Sequence, residues 1–570
     1  MKKELMLANK AIARGAYEAG VRVLSAYPGT PSTEIAEEFA KYNDVYAEWA
    51  PNEKVALEVA LGASIAGARS MVCMKHVGLN VASDALFSAS YSGVNAGLVI
   101  VVADDPGMHS SQNEQDTRLY GAMAHVPVLE VSDSQEAKDY VKIALELSEE
   151  YDTPVIVRTT TRVSHSQSFV ELGERVELPL KEYVKNVSKY VMYPATARLR
   201  HIAVEARENK LKEACNNFSI NKVEINDKSL GVICAGVIYQ HVKETLPNAS
   251  VLKLGLVYPL PTEKIKEFAK QVDKILVIEE NEPYIEKEVK ALGIDCDGRN
   301  VFSVQGEILA STIKQRFLKE EAPIQEKLPA RPPILCAGCP HRGVFYVLKK
   351  LKLRVIGDVG CYTLAASEPL AAMDTMICMG AALGMAHGFV KATSNSENVV
   401  SVIGDSTFIH NGITGLINAV YNNANITLII LDNDTTGMTG HQDNPATGKT
   451  LQNQPTNKLD LVALVKGCGV KRVFTVDAYN IKEVEEVVKT ELKQKEVSVI
   501  IAKRPCVMLS KQKKGTMVVE DCKSCMACFK IGCPAIIKKD GKAFIDQMLC
   551  VDCGVCAKVC PFNCIKGENA

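Results

Sequence analysis

The sequence predicts an α/β protein made of several doubly wound parallel sheets, with a small cysteine-rich domain at its C-terminal end. Three observations carry that expectation. Short apolar runs rich in Val and Ile alternate with helix-like segments over most of the chain, as in parallel sheets covered on both faces. At 570 residues the chain is too long for one core and should hold three or four domains, at roughly 100 to 200 residues each. Finally, eight of the 19 cysteines fall between Cys522 and Cys560. In a large chain without a secretory segment, such spacing reads as metal ligands rather than disulfides.

Composition excludes some functions. The formal net charge is −1, so no global basic field gathers nucleic acid or anionic membrane. No run approaches the 18 apolar residues of a membrane span, and the N-terminal stretch with Lys2, Lys3, Glu4, Lys10 and Arg14 has no signal-like apolar region. A cytoplasmic protein without nucleic-acid or membrane partners is expected.

In chain order, residues 1–185 form the first predicted domain. Its strands are Val21 to Ala26, Val45 to Trp49, Ser70 to Met74, Leu98 to Ala103 and Pro154 to Arg158. The first ends in Tyr27-Pro28-Gly29-Thr30-Pro31-Ser32-Thr33-Glu34, where Pro and Gly force a turn and Ser32 with Glu34 suits a helix cap. Thr30, at the carboxyl end of the strand, is the better ligand candidate. After the second strand, Asn52-Glu53-Lys54 opens a helix of small residues through Gly62 to Gly67, and Glu53 in its first turn suits the helix dipole. From Met108 to Arg118 the chain is polar and reads as a loop entering a helix. Arg118 either pairs with Asp116 or Glu114 at the surface or presents its planar fork to a carboxylate.

Lys185 to Asn226 reads as a charged linker with one or two helices. A second α/β domain, 195–322, has strands Gly231 to Ala235, Val251 to Leu254 and Lys274 to Ile278, and a helix from Thr262 to Gln271. It shows no catalytic constellation; Glu279, Glu280 and Glu282 read as a solvated charge run, and the domain is expected to serve interfaces.

Pro329 to Pro333 marks the start of the third domain, 328–510. Here the apolar run Val399 to Ile403 breaks at Gly404-Asp405-Ser406, a helix-like segment follows, and a second run, Ile426 to Leu431, ends in Asp432-Asn433-Asp434-Thr435. Such a βαβ unit brings Asp405 and Asn433 side by side beyond the carboxyl ends of the strands, where open parallel sheets bind ligands. A carboxylate with an amide oxygen suits Mg²⁺, which completes its octahedron with other oxygens. The small-residue segment Met379 to Gly388, with Gly380, would let a helix approach a cofactor closely. Strand signals continue through Val497 to Ala502.

Beyond the basic stretch Lys511 to Gly515 lies the cysteine-rich domain, 515–570. Cys522, Cys525, Cys528 and Cys533 form one group; Cys550, Cys553, Cys556 and Cys560 form another with the spacing of the bacterial ferredoxin run, in which three thiolates hold one [4Fe-4S] cluster and the fourth crosses to the other. The first group has one residue more than usual before its last cysteine, and Cys564 is spare. Outside this domain, Cys336 and Cys339 form a Cys-x₂-Cys pair, Cys361 follows in Gly357-Asp358-Val359-Gly360-Cys361, and Cys506 ends the last strand of the third domain.

The Gly404-Asp405…Asn433 stretch resembles the motif of thiamine-diphosphate enzymes, Gly-Asp-Gly followed by Asn, with Ser406 in place of the second Gly. Thiamine chemistry also asks for a carboxyl group that protonates the aminopyrimidine ring, which points to Glu53, with Glu58 as alternate. Joined to a ferredoxin tail, the assembly resembles the 2-oxoacid:ferredoxin oxidoreductases, and among them the large (alpha) subunits of the indolepyruvate type. The likeness runs over nearly the whole chain. It implies a pyrimidine-binding domain over 1–185, a transketolase C-terminal-like domain over 195–322, a diphosphate-binding domain over 328–510 and a two-cluster ferredoxin domain over 515–570. The activity it implies is oxidative decarboxylation of aryl 2-oxo acids with CoA to acyl-CoA and CO₂, reducing ferredoxin under anaerobic conditions.

Carried over by resemblance, Thr30 and Arg118 would hold the substrate's carbonyl and carboxylate and Glu53 would activate the cofactor. Gly380, Gly404 and Ser406 would line the cofactor; Asp405, Asn433 and the Thr435 carbonyl would ligate Mg²⁺. Cys336, Cys339, Cys361 and Cys506, with Cys468 as alternative fourth ligand, would hold a third [4Fe-4S] cluster. A small beta subunit would complete an α₂β₂ enzyme that passes electrons to external ferredoxin. Other readings remain: oxidation of another 2-oxo acid such as pyruvate or a branched-chain acid, a non-oxidative decarboxylase, or an electron-transfer subunit whose thiamine site has decayed.

Overall fold

A computed structural model of the chain describes residues 2–321, 329, 331–393, 398–510 and 515–568. Most of the basic stretch (511–514) and the expected boundaries at 322 and 328 lie outside the described residues. The chain divides into two compact units, Met1–Glu326 and Lys327–Ala570.

In the first unit a seven-stranded sheet runs in the order Leu256–Tyr258, Val128–Glu130, Val155–Thr160, Leu98–Asp104, Ser70–Lys75, Val23–Ala26, Tyr46–Trp49. Its six strands between Val23 and Thr160 are parallel, and every residue of Ser70–Lys75, Leu98–Asp104 and Val155–Thr160 is buried. Continuous apolar runs are what a sheet buried on both faces requires. The Leu256–Tyr258 edge strand is antiparallel and comes from the second expected domain. The unit also holds a four-stranded sheet of Ile275–Ile278, Asp227–Ala235, Ala249–Leu254 and Lys222–Glu224 and a two-stranded one of Lys3–Leu7 and Gln167–Glu171. One apolar core extends from Ala50 to Cys296, so the expected domains 1–185 and 195–322 share a core as well as a sheet. The segment expected to link them is largely one 21-residue helix, Pro194–Ala214, with Pro at its first position, where no backbone donor is lost.

The second unit holds a five-stranded, all-parallel sheet in the order Arg354–Ile356, Val399–Gly404, Thr427–Asp432, Ser498–Lys503, Arg472–Asp477. The cysteine-rich tail adds two small antiparallel ribbons, Val518–Val519 with Ile565–Lys566 and Ile536–Lys539 with Lys542–Ile545. Met517, Ile531, Ile536 and Ile545 of the tail pack in the same core as Val344, Phe345 and Val402. The tail is therefore built into the second unit rather than tethered to it.

Candidate active site

Both halves of the Mg²⁺ candidate lie at the carboxyl edge of the five-stranded sheet. The ladder pairs Gly404 with Leu431, so Asp405 and Asp432 leave adjacent strands at one level. Asp405 opens a helical turn, 2% exposed, and its Oδ2 has no hydrogen-bond partner. Burial, with repulsion from Asp432 and Asp434, pushes its carboxyl up to about 8. The side-chain oxygen of Asn433 faces other acceptors: turned over, its amide would donate to the Thr435 carbonyl at 3.0 Å and to Asp405 Oδ1 at 3.1 Å. With its oxygen inward, Asn433 would join Asp405 and the Thr435 carbonyl in a set of oxygens suited to a cation. Octahedral bonds of about 2.1 Å give oxygen–oxygen edges of about 3.0 Å, so these two separations match two edges of one face of a Mg²⁺ octahedron.

The surrounding residues keep that face in place. The Gly404 amide donates to Tyr362 Oη at 2.9 Å, and Thr436 Oγ1 donates to Ser406 Oγ at 2.9 Å. Ser406 is thus part of the wall between the two strand-end loops. Gly380 has φ +86, its amide donates to Asp358 Oδ1 at 2.9 Å, and a Cβ there would come within 2.5 Å of Asn411 Cβ. Close packing at the start of the Ala381–Thr393 helix accounts for this glycine. Asp358 itself escaped sequence reasoning. It is buried at the end of the Arg354–Ile356 strand and accepts from the amides of Val359, Gly380 and Ala382, while burial pushes it up to about 6. Gly357-Asp358 repeats the strand-end Gly-Asp signal of 404–405 and could have been found by it.

In the first unit, Thr30 is half-buried in the turn after Val23–Ala26. The Ser32 hydroxyl does not cap the next helix; it donates back to the Gly29 carbonyl at 2.8 Å. Glu53 begins the Glu53–Ile65 helix, whose cap is Asn52 accepting from the Val55 amide at 3.0 Å. The Glu53 side chain, 5% exposed, lies on Gly78, where a Cβ would stand 2.6 Å from its Oε1. Glycine at 78 is what makes room for the carboxyl. Glu58 is exposed and pairs with Lys54, which removes it as the alternate.

Arg118 requires a correction. It is 1% exposed rather than on the surface, and its donors are committed within the protein. Nε and Nη2 bind Asp116, Nη1 donates to Glu279 Oε2 at 2.7 Å, and Nη2 also reaches the carbonyls of Glu280 and Glu282. Four of its five N–H groups are taken up in this way, so no two-pronged fork is left for a substrate carboxylate. Glu279 and Glu280 are likewise buried, not a solvated run. Glu279 also accepts from the amides of Ile285 and Glu286, and burial pushes Glu280 up to about 7. With Arg158 bound to Asp104 and Glu130, these groups form an ion-pair network between the seven-stranded and four-stranded sheets of the unit.

The tail cysteines sort into two sets across their sequence groups. Cys522, Cys525, Cys528 and Cys560 line one small cavity, and Cys533, Cys550, Cys553 and Cys556 line another. Each fourth cysteine has crossed to the other trio, the ferredoxin arrangement. The extra residue before Cys533 is accommodated by Gly532, at φ +66, which packs on Pro369 and Arg342. Cys564, spare in the count, donates to the Asp521 carbonyl at the rim of the first cavity.

Cys336, Cys339, Cys361 and Cys506 lie near enough to act on one another electrostatically. Burial raises the Cys361 thiol to about 11, with Cys506 and Cys336 adding to the rise, and Cys339 rises to about 12 with the same cause and with Cys336 and Cys361 beside it. On one side this group touches the Mg²⁺ candidate. The Cys506 amide donates to the Asn433 carbonyl at 2.9 Å, and Cys361 Sγ lies 3.5 Å from where a Cβ of Gly437 would stand. On the other side Gly338, at φ +67, packs on Val551 and Cys553 of the tail. Cys468 sits apart in a different apolar core and drops out as fourth ligand.

Arg342 joins the inner cysteine loop to the tail. Buried, it donates to the carbonyls of Leu335 and Cys336 and to those of Ile531 and Gly532. Truncation leaves these acceptors without partners, so Arg342→Met is expected to cost about 1–3 kcal/mol or more of stability. Anaerobic thermal unfolding of the iron-loaded chain reads this as a lower Tm; an unchanged Tm would contradict it.

A strand-end oxygen trio for a metal–diphosphate group, a buried helix-end glutamate and a ferredoxin-type tail define the class of thiamine-diphosphate 2-oxoacid:ferredoxin oxidoreductases. Family models agree: "Thiamine pyrophosphate enzyme, C-terminal TPP binding domain" matches residues 358–502, "Pyruvate flavodoxin/ferredoxin oxidoreductase, thiamine diP-bdg" matches 14–214, and "4Fe-4S binding domain" matches 543–566. Three relatives named indolepyruvate oxidoreductase subunit IorA are similar over almost the full chain. That of Archaeoglobus fulgidus is 43% identical over 99% of this chain and 97% of its own length; that of Methanothermobacter marburgensis is 41% identical over the same shares. That of Pyrococcus abyssi is 42% identical over 99% of this chain and 96% of its own. The chain belongs to the family of indolepyruvate oxidoreductase IorA subunits, an oxidoreductase family acting on 2-oxo acids. Among the described residues no helix is long and apolar enough to cross a membrane.

Proposed function

We propose that the chain is the catalytic large subunit of an enzyme that converts an aryl 2-oxo acid of the indolepyruvate or phenylpyruvate type, CoA and two oxidised ferredoxins to acyl-CoA, CO₂, two reduced ferredoxins and a proton. The observation that carries this reading is the contact between the metal–diphosphate candidate and a cysteine group, made by the Cys506 amide on the Asn433 carbonyl. A non-oxidative decarboxylase has no use for thiols at that place. When bound, thiamine diphosphate supplies the carbanion that attacks the 2-oxo carbon and allows CO₂ to leave.

The protein's part is to place and protonate. Asp405, Asn433 and the Thr435 carbonyl would hold Mg²⁺; Glu53, seated on Gly78, would be the carboxyl that meets the pyrimidine ring; Thr30 would donate to the substrate carbonyl. Cys336, Cys339, Cys361 and Cys506 would bind an inner [4Fe-4S] cluster, and the two tail sets one cluster each. That order leads from the cofactor through the Cys533 set toward the Cys522 set and external ferredoxin. The relatives' designation as subunits supports a small partner subunit; an α₂β₂ assembly and a cytoplasmic location are part of the proposal.

Purified anaerobically with the small subunit, the protein is expected to reduce viologen dye only with CoA, and to favour aryl over branched or short 2-oxo acids by about tenfold or more in kcat/KM. Preference for pyruvate or a branched-chain acid would assign it another substrate. Replacement of Cys336 and Cys361 by Ser should lower iron from about twelve to about eight atoms per chain. An unchanged count in the folded, thiamine-loaded variant would remove the inner cluster.

A further inference from the structure

Five Lys and Arg side chains are buried among the described residues: Lys75, Arg118, Arg158, Lys253 and Arg342. Three are matched by carboxylates: Arg118 by Asp116 and Glu279, Arg158 by Asp104 and Glu130, Lys253 by Glu136. Arg342 is met by four carbonyls and lies among cysteines that would be anionic with clusters bound. Lys75 is the exception. It is 7% exposed, makes one hydrogen bond, from Nζ to the Ser110 carbonyl at 2.5 Å, and has no carboxylate at ion-pair distance among the described residues. Asp105, the nearest acid, is already engaged: it accepts from the Ser110 amide at 2.8 Å and from the hydroxyls of Ser111 and Thr161 at 2.5 and 2.6 Å. Burial pushes the Lys75 ammonium down to about 8, and Asp105 opposes this only in part. A buried cation left uncompensated is costly, and an ammonium has three donors, so at least two remain for another acceptor.

Its place supplies the acceptor. Lys75 is the last residue of the Ser70–Lys75 strand, at the carboxyl edge of the parallel sheet, where ligands of such sheets bind. A Cβ at Gly29 would stand 3.1 Å from Lys75 Cβ, so the lysine adjoins the turn that carries Thr30. Three residues further on, Gly78 seats the Glu53 carboxyl. Lys75 therefore stands on the chain segment between the candidate carbonyl donor and the candidate proton holder. Arg118, the cation that resemblance assigned to the substrate carboxylate, is tied to Asp116 and Glu279.

We propose that Lys75 Nζ receives the carboxylate of the 2-oxo acid, displacing or sharing its contact with the Ser110 carbonyl. This rests on the reading of the chain as a 2-oxo acid oxidoreductase. It makes Lys75 a selector for 2-oxo acids over neutral carbonyl compounds of the same shape, and leaves Arg118 a structural role.

The test is calorimetric binding of an unreactive pair, an aryl 2-hydroxy acid and its amide, to the cofactor-loaded complex with the small subunit. Wild type is expected to bind the acid more tightly than the amide. Lys75→Met should weaken acid binding by about 10- to 100-fold, the worth of a charge-assisted hydrogen bond, and leave amide binding unchanged. Lys75→Arg should keep most of the discrimination, and Lys75→Gln, neutral but polar, takes the place of the Met variant if that one loses thiamine diphosphate or iron. If the neutral variant leaves the discrimination between acid and amide at its wild-type value while wild type turns over 2-oxo acids, Lys75 is not the receptor and the functional reading stands. A wild type that neither binds the acid nor turns over any 2-oxo acid overturns both.

Discussion

Glu53→Gln is expected to abolish turnover, by about 10²- to 10⁴-fold in kcat, while fold, iron content and bound thiamine diphosphate stay at wild-type levels. Glutamine fills the same space on Gly78 and leaves the Asn52 cap to the Val55 amide untouched, so the helix start survives. What it cannot do is exchange a proton with the pyrimidine ring. Steady-state dye reduction with the small subunit, read beside thiamine and iron content, checks this. More than about a tenth of normal activity would mean that Glu53 is not the activating acid.

The second large effect concerns Asp405. Asp405→Ala should lose Mg²⁺ and thiamine diphosphate together, because the metal bridges protein oxygen and diphosphate, and should retain its iron. A divalent cation offsets the charge that burial and the neighbouring Asp432 and Asp434 disfavour. Without the cofactor the sign reverses. A carboxyl held near 8 in the folded chain, against an ordinary value of 3.8, binds its proton more tightly when folded, so it costs the apo-protein stability as pH rises from the ordinary value toward 8. Apo Asp405→Asn should therefore gain on apo wild type between pH 4 and pH 8. Normal cofactor content in the Ala variant would remove Asp405 from the site, and an apo stability difference that does not vary with pH would contradict the burial argument.

What sequence made legible was local. The two strand-end breaks after Val399–Ile403 and Ile426–Leu431 are joined by one helix, and the ladder register then brings Asp405 near Asn433 without further information. The cysteine crossing followed from spacing alone. Long-range pairing was not legible. Arg118 is satisfied by Glu279, 161 residues away, and Glu279 and Glu280 read as surface, as the exposed Glu282 is, until that partner is known. The Leu256–Tyr258 strand is only three residues long and joins the neighbouring sheet from a segment assigned to another domain. Lys3–Leu7 and Gln167–Glu171 pair as a partly exposed ribbon, without the buried alternation that marks a strand. Lys75 carries no motif; its interest lies in lacking a carboxylate, which only coordinates reveal.

The central claim is that electrons released on decarboxylation enter iron–sulfur clusters held by this chain. Anaerobic electron paramagnetic resonance of the complex with the small subunit, frozen after addition of an aryl 2-oxo acid with CoA and without ferredoxin, tests it directly. Signals of reduced [4Fe-4S] clusters appearing in step with CO₂ release are predicted, weaker or altered in the Cys336→Ser/Cys361→Ser variant. CO₂ release with aldehyde formed and all clusters left oxidised would contradict the account.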